Sequence, residues 1–234
     1  MFVLQMAEMN FQINNRFEYL KKQCEEYRGK ADHVDFKINV SPEEIEEEKR
    51  KTPHVFSEGY LESICAYRQI CTEILSKDAF LMHAAVVEVD EEAYAFCAKS
   101  GTGKTTHVRL WKRMLGDRLI FINGDKPILR VSDHDVFAYG TPWAGKENYQ
   151  TNKKSRLKAI CFIERAAQNT IERLSPQQAV LRIMHQVLIP QDSCKAAMQL
   201  DLLDRVLKQV PAYLLKCNMQ LQAAELSFST MKGE

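Results

Sequence analysis

Eight consecutive residues, Lys99-Ser100-Gly101-Thr102-Gly103-Lys104-Thr105-Thr106, have the types and spacing needed to hold a polyphosphate. Gly101 and Gly103 let the main chain curl where a Cβ would oppose it. The N–H groups of such a turn face inward at an anion, helped by the positive end of the helix that follows. Lys104 is placed to reach the β- and γ-phosphates, and the Thr105 hydroxyl to take a position on Mg²⁺. The usual Walker A pattern, G-x-x-x-x-G-K-[ST], has Ala98 at its first glycine position here, which a negative φ accommodates. Asp125 stands just beyond the next apolar run, 118–122. A carboxylate there could orient or deprotonate an acceptor hydroxyl, although Asn123-Gly124-Asp125 is also ordinary turn chemistry. The chemistry implied is the binding of ATP or GTP and the transfer of a phosphoryl group.

The elements that must position these residues follow from periodicity. An apolar run, Tyr94 to Ala98, precedes the glycine turn, and a helical pattern from His107 to Leu115 follows it. Strand, turn and helix in that order are the context the motif demands. Upstream, 80–87 reads as one strand, and Asp90-Glu91-Glu92 as a hairpin turn into the loop strand. A hairpin there is unusual, because a lone parallel strand ordinarily feeds such a loop. Ser41-Pro42-Glu43-Glu44 and Ser175-Pro176-Gln177-Gln178 are helix starts, each with an N-cap serine, a proline in the first turn and a capping-box partner. Leu61, Ile64, Cys65, Cys71, Ile74 and Leu75 share one helical face. Residues 1–15 and 33–40 alternate as strands, 128–131 and 136–139 are short strands, and 157–163 is an apolar strand. The loop Gly140-Thr141-Pro142-Trp143-Ala144-Gly145-Lys146 is bounded by Gly and Pro, and Trp143 and Lys146 on it are candidates for the substrate side. A packed indole on a rigid turn is the alternative for Trp143. His83, inside an apolar run, is either a satisfied core residue or a site residue.

Composition narrows the classes. The chain has 234 residues and a formal net charge of +1, so no electrostatic case exists for nucleic acid or an anionic membrane as partner. No apolar run approaches a bilayer span, and residues 1–5 lack the pattern of a secretory signal. Seven scattered cysteines without a C-x-x-C pair point to reduced thiols and a cytoplasmic protein. The histidines show no zinc spacing.

Residues from about 80 to 165 resemble the superfamily of HPr kinase/phosphorylase and phosphoenolpyruvate carboxykinase. The matching segments are Met82-His83-Ala84-Ala85, Ser100 through Thr106, and Gly124-Asp125. A group of short HPr kinase-like bacterial proteins is similar further along, at Tyr60-Leu61-Glu62, at Gly140-Thr141-Pro142-Trp143 with Gly145-Lys146, and at Leu157-Lys158-Ala159-Ile160. That superfamily carries a hairpin before its phosphate loop. The resemblance implies that Lys104 is the phosphate lysine, Thr105 a Mg²⁺ ligand, Asp125 one of an acidic pair, and His83 a lining residue of the same site. The family usually has two adjacent acids at this turn, whereas Asn123-Gly124-Asp125-Lys126 offers one. Asp125 is therefore left as either base or metal ligand.

The expected fold is α/β, a P-loop core with a mixed β-sheet and flanking helices and an N-terminal α+β extension. Residues 1–78 are expected to form an accessory α+β region packed on a core of residues 79–234, with a single compact unit overall as the alternative. The expected function is an ATP- and Mg²⁺-dependent, HPr kinase-like phosphotransferase. Its acceptor would be a hydroxyl, serine above all, on a small protein, peptide or amino acid. Nucleotide and acceptor are then the partners, and a homo-oligomer is compatible with them. The alternative is a non-catalytic nucleotide-binding sensor or a subunit of a biosynthetic complex.

Overall fold

The computed structural model describes residues 1–233, which divide into two compact units, Met1–Ser76 and a second beginning at Lys77. In the first, strands β1 (Phe2–Met6) and β2 (Met9–Asn14) form an antiparallel hairpin whose alternate residues are buried. Helix α1 (Glu18–Gln23) and the short strand β3 (Arg28–Gly29) follow, then β4 (Phe36–Asn39), giving the sheet order β3-β1-β2-β4. Helix α2 (Pro42–Arg50) starts at Ser41 with both hydrogen bonds of a capping box, and α3 (Glu58–Glu73) starts at Ser57, whose side chain accepts from the Tyr60 N–H. The fully buried Glu62 accepts from the main-chain N–H groups of Arg16 and Phe17 at 2.5 and 3.1 Å. Its carboxylate thus ties α3 to the turn after β2.

The second unit is a curled mixed sheet with helices. Its elements are β5 (Ala79–Leu81), β6 (Ala85–Val89), β7 (Glu92–Cys97), α4 (Lys104–Leu115), β8 (Leu119–Asn123), β9 (Ile128–Val131), β10 (Val136–Tyr139), β11 (Lys154–Arg165), β12 (Thr170–Leu174), α5 (Pro176–Met184), α6 (Ser193–Gln209), β13 (Ala212–Cys217) and α7 (Leu221–Lys232). The main path runs β5-β9-β10-β11-β7-β6-β8, and β13 pairs with both β11 and β12. β7 has antiparallel β6 on one side and parallel β11 on the other. The β6–β7 hairpin turns through Asp90 and Glu91, both at positive φ (52° and 68°).

The expectation of one strand over 80–87 is corrected. β5 and β6 are separate strands, interrupted at Met82-His83-Ala84. The interruption is matched on the neighbouring chain segment. β6 pairs with β8 (Val86 opposite Asn123) and β5 pairs with β9 (Leu81 opposite Ile128). Between them, Ala84 N–H donates to Asp125 O and Met82 N–H to Pro127 O, both near 3 Å. Two adjacent segments therefore break their regular pairing at the same level. His83 and Asp125 occupy the gap.

Core packing fixes what lies beneath. Trp111 of α4 is fully buried against Tyr94, Phe96 and Phe228, with ring centroids 5.0–5.2 Å apart. Ser227 of α7 lies under the same ring. Its hydroxyl donates to Ala224 O (3.1 Å) and accepts from Trp111 Nε1 (2.9 Å), so its contact with His107 Nε2 at 3.0 Å requires His107 to donate. One serine thus locks α4 to α7, pairing the buried Trp111 and His107 donors and its own hydroxyl. Among the described residues, no helix is long and apolar enough to cross a membrane, and all seven cysteines are free thiols.

Candidate nucleotide and phosphoryl-transfer site

β7 ends at Cys97, Ala98 is buried, and the chain turns through Lys99–Gly103 before α4 begins at Lys104. The turn is closed by Thr102 N–H to Lys99 O at 3.0 Å. Gly101 and Gly103 have φ of +75° and +122°. Nothing lies within 4 Å of a Cβ built on either, so backbone conformation, not crowding, calls for glycine here. Ala98 is not among the residues with positive φ, as an alanine in the first glycine position needs. α4 starts without a side-chain cap. Its first N–H groups are therefore available to an anion.

Lys99 and Ser100 are exposed, Thr102, Thr105 and Thr106 are half-buried, and Lys104 is buried. The Lys104 ammonium lies 3.4 Å from Asp125 Oδ1. The same oxygen accepts from His83 Nε2 at 3.1 Å, and Lys126 Nζ is 3.4 Å from Oδ2. Three of the residues singled out in the sequence, Lys104, Asp125 and His83, are thus brought to one point by α4, by the turn after β8 and by the β5–β6 break. Burial alone would raise the Asp125 carboxyl. The His83 hydrogen bond and the charges of Lys126 and Lys104 outweigh it and hold the group well below the usual carboxylate range. Burial pushes the Lys104 ammonium below its ordinary value, with Asp125 opposing. With Lys104 and Lys126 facing one carboxylate, the pocket carries an excess of positive charge.

Asn123 builds the turn that presents Asp125. It is fully buried, and its Oδ1 accepts from the N–H groups of Asp125 (2.9 Å) and Lys126 (2.6 Å). Its Nδ2 donates to Thr141 O and Thr141 Oγ1. Gly124 N–H donates to Tyr149 O at 2.8 Å, and a Cβ on Gly124 would lie 2.7 Å from Ala144 O. The 140–146 loop therefore presses on this turn. Gly145, at φ +79°, also comes close: a Cβ there would be 3.2 Å from Asp125 Cβ. On that loop Trp143 is buried and Lys146 is exposed.

Three contributors were not apparent from the sequence: Asn123, Lys126 and Arg165. The last residue of β11, Arg165, donates from Nε to Thr102 O at 2.9 Å and from Nη2 to Gly101 O. It grips the outer carbonyls of the glycine turn from more than sixty residues away. The Asx turn of Asn123 had a local signal, since Asn-Gly-Asp invites it. Arg165 had none.

The donor chemistry fits a hard cation. Mg²⁺ takes oxygen ligands and commonly leaves several positions to water and substrate phosphate. The Thr105 hydroxyl and the ionised Asp125 carboxylate are such donors. Among the described residues no group of three or more His, Cys, Asp or Glu side chains converges on a metal position. A cation here would therefore rely on the phosphate chain for further ligands. Burial pushes the Cys97 thiol, beneath the turn, up to about 12, which removes it as a nucleophile at neutral pH.

No family model matches the chain, and no curated protein matches it. Among solved structures, the HPr(Ser) kinase/phosphatase from Coxiella burnetii is similar at 11% identity with a TM-score of 0.37. The match covers 63% of this chain and 87% of that one. The likeness is a distant one.

Proposed function

We propose that the chain is an ATP- or GTP- and Mg²⁺-dependent, HPr kinase-like phosphotransferase acting on a hydroxyl, serine above all, of a small protein, peptide or amino acid. The observation that supports this most is the convergence of Lys104, His83 and Lys126 on Asp125 beside an uncapped helix start preceded by a glycine turn. The turn's N–H groups and Lys104 bind the β- and γ-phosphates. Thr105 and Asp125 hold Mg²⁺, which supplies charge neutralisation on the phosphate oxygens when bound. Lys126 adds positive charge where negative charge gathers. Asp125, kept ionised, accepts a hydrogen bond from the acceptor hydroxyl and aims its oxygen at the γ-phosphorus. A bond forms from that oxygen to phosphorus, and the bond to the β-γ bridging oxygen breaks. Nucleoside diphosphate leaves, and the hydroxyl proton passes by way of Asp125 to water. Trp143 and Lys146 are assigned to the loop that borders the acceptor side, with Gly145 as its point of approach to Asp125.

The test is label transfer from γ-labelled ATP, with Mg²⁺, to serine-bearing acceptors. The wild-type protein should transfer label, and Asp125→Asn should lower kcat by on the order of 10²-fold or more while nucleotide still binds. A second reading, a non-catalytic nucleotide-binding sensor or subunit, draws on Gly124, whose surroundings leave no space for a second acid. It predicts nucleotide binding without transfer, and indifference to Asp125→Asn.

A further inference from the structure

The glycine turn is held in place by little of its own. It stands between two clefts, of about 510 Å³ on the Lys99 side and about 340 Å³ on the Thr106 side, and its residues form walls of both. Nothing lies within 4 Å of a Cβ built on Gly101 or Gly103, so no neighbour steadies those positions by packing. Two glycines at positive φ leave the peptide planes between them free to rotate, and ordering them costs entropy. A phosphate cradle binds well only when its N–H groups already point at the ligand.

Arg165 supplies the missing constraint. In a trans peptide the C=O and N–H of one plane point in opposite directions. Gly101 O shares its plane with the Thr102 N–H, and Thr102 O shares its plane with the Gly103 N–H. Arg165 takes both oxygens: Nη2 donates to Gly101 O, and Nε donates to Thr102 O at 2.9 Å. The first plane is held at both ends, since Thr102 N–H donates to Lys99 O at 3.0 Å. The second is held by Arg165, and the N–H at its far side, that of Gly103, has no partner among the described residues. That N–H faces away from the guanidinium and is the donor left over for a ligand. The guanidinium is available for this task because the adjacent carboxylate, Glu164, is taken by Arg182 at 2.6 Å.

We propose that Arg165 is a positioning residue, whose fork sets two peptide planes of the turn so that the Gly103 N–H meets the β-phosphate of a nucleotide, without Arg165 itself touching phosphate. This rests on the kinase reading above. The β-phosphate is the group concerned because the main-chain N–H groups of such a turn close around it, while the lysine reaches on towards γ. Lysine is no substitute at position 165: an ammonium is a point charge, and it lacks the planar fork that holds two carbonyls in one orientation.

The experiment uses the full chain as wild type, Arg165→Ala and Arg165→Lys. Arg165 is exposed, so both substitutions leave the core intact, and a thermal melt verifies it. In the nucleotide-free proteins, ¹⁵N relaxation of the Gly101, Thr102 and Gly103 amides reports the order of the turn, which should fall in both variants. Calorimetric titration with Mg²⁺ then compares ATP with ADP, both of which carry a β-phosphate. Arg165→Ala should weaken the two alike, by about tenfold or more, and Arg165→Lys should remain within about twofold of Arg165→Ala. A loss confined to ATP would place the guanidinium on the γ-phosphate, and full recovery in Arg165→Lys would make charge alone the cause; either result overturns the inference. So does unchanged order of the turn in Arg165→Ala. All three leave the kinase reading standing. Failure of the wild type to bind either nucleotide overturns that reading, and this inference with it.

Discussion

Asp125 is surrounded by more positive charge than it neutralises, and that imbalance is the chemistry of the pocket. On the proposed reading Lys104 contacts phosphate, and a charge-assisted contact of that kind is worth about 1.5–3 kcal/mol. Lys104→Ala should accordingly weaken nucleotide binding by about 10- to 100-fold, measured by titration calorimetry. A second residue-scale prediction concerns His107. Burial holds its pKa down to about 4, against 6.5 when free, so the folded state keeps it neutral beside Ser227. The unfolded chain takes up a proton below 6.5 and the folded one only near 4. Stability from this group is therefore complete above 6.5 and declines as pH falls from there towards 4. Chemical denaturation across that window should show the decline, and His107→Gln should flatten it. Ser227→Ala would strand the Trp111 and His107 donors in the core and should cost roughly 2 kcal/mol or more, read from the same denaturation curves. At this scale Lys104 and Thr105 could be singled out because they follow the glycine turn directly, and Asp125 because it stands just past the next apolar strand; the 3.4 Å approach of Lys104 to Asp125 had no sequence trace. His107 was visible only as a helix residue, since its partner lies 120 positions away.

At the scale of elements, the site exists because two neighbouring strands lose their pairing together. The apolar run 80–87 reads as one strand because every residue in it suits a strand. Its break at 82–84 comes from partners elsewhere: Gln186 O takes the His83 N–H, and Asp125 O takes that of Ala84. Such long-range hydrogen bonds leave no periodic trace. The hairpin before the turn and the capping boxes of α2 and α5 were legible, because local residue chemistry determines them. Gly124 is an element-scale constraint too, pinned under the 140–146 loop. Gly124→Asp, which would place a second acid beside Asp125, puts a Cβ 2.7 Å from a main-chain oxygen. It should lose about 1–3 kcal/mol of stability and gain no transfer activity. A thermal melt paired with the label-transfer assay checks both.

The whole chain holds two compact units, each with its own sheet and buried core. Every residue assigned to the proposed nucleotide and phosphoryl-transfer site belongs to the second. A fragment starting at Lys77 should therefore melt cooperatively and bind nucleotide as the full chain does, which circular dichroism and calorimetry would register. A net charge of +1 gives no long-range attraction for polyanions, so on the proposed reading affinity for a polyphosphate would come from the local excess around Asp125. The strand–turn–helix unit that makes this excess useful was legible, whereas the curl that brings β5 and β9 beside β6 and β8 depends on pairings spread over fifty residues. The most direct measurement is calorimetric titration of ATP and of GTP, with Mg²⁺, into the wild-type protein and Lys104→Ala. Saturable heat from at least one nucleotide in the wild type, weakened at least about tenfold in the variant, is the expected result. No heat from either nucleotide, or equal binding by both proteins, would contradict the account.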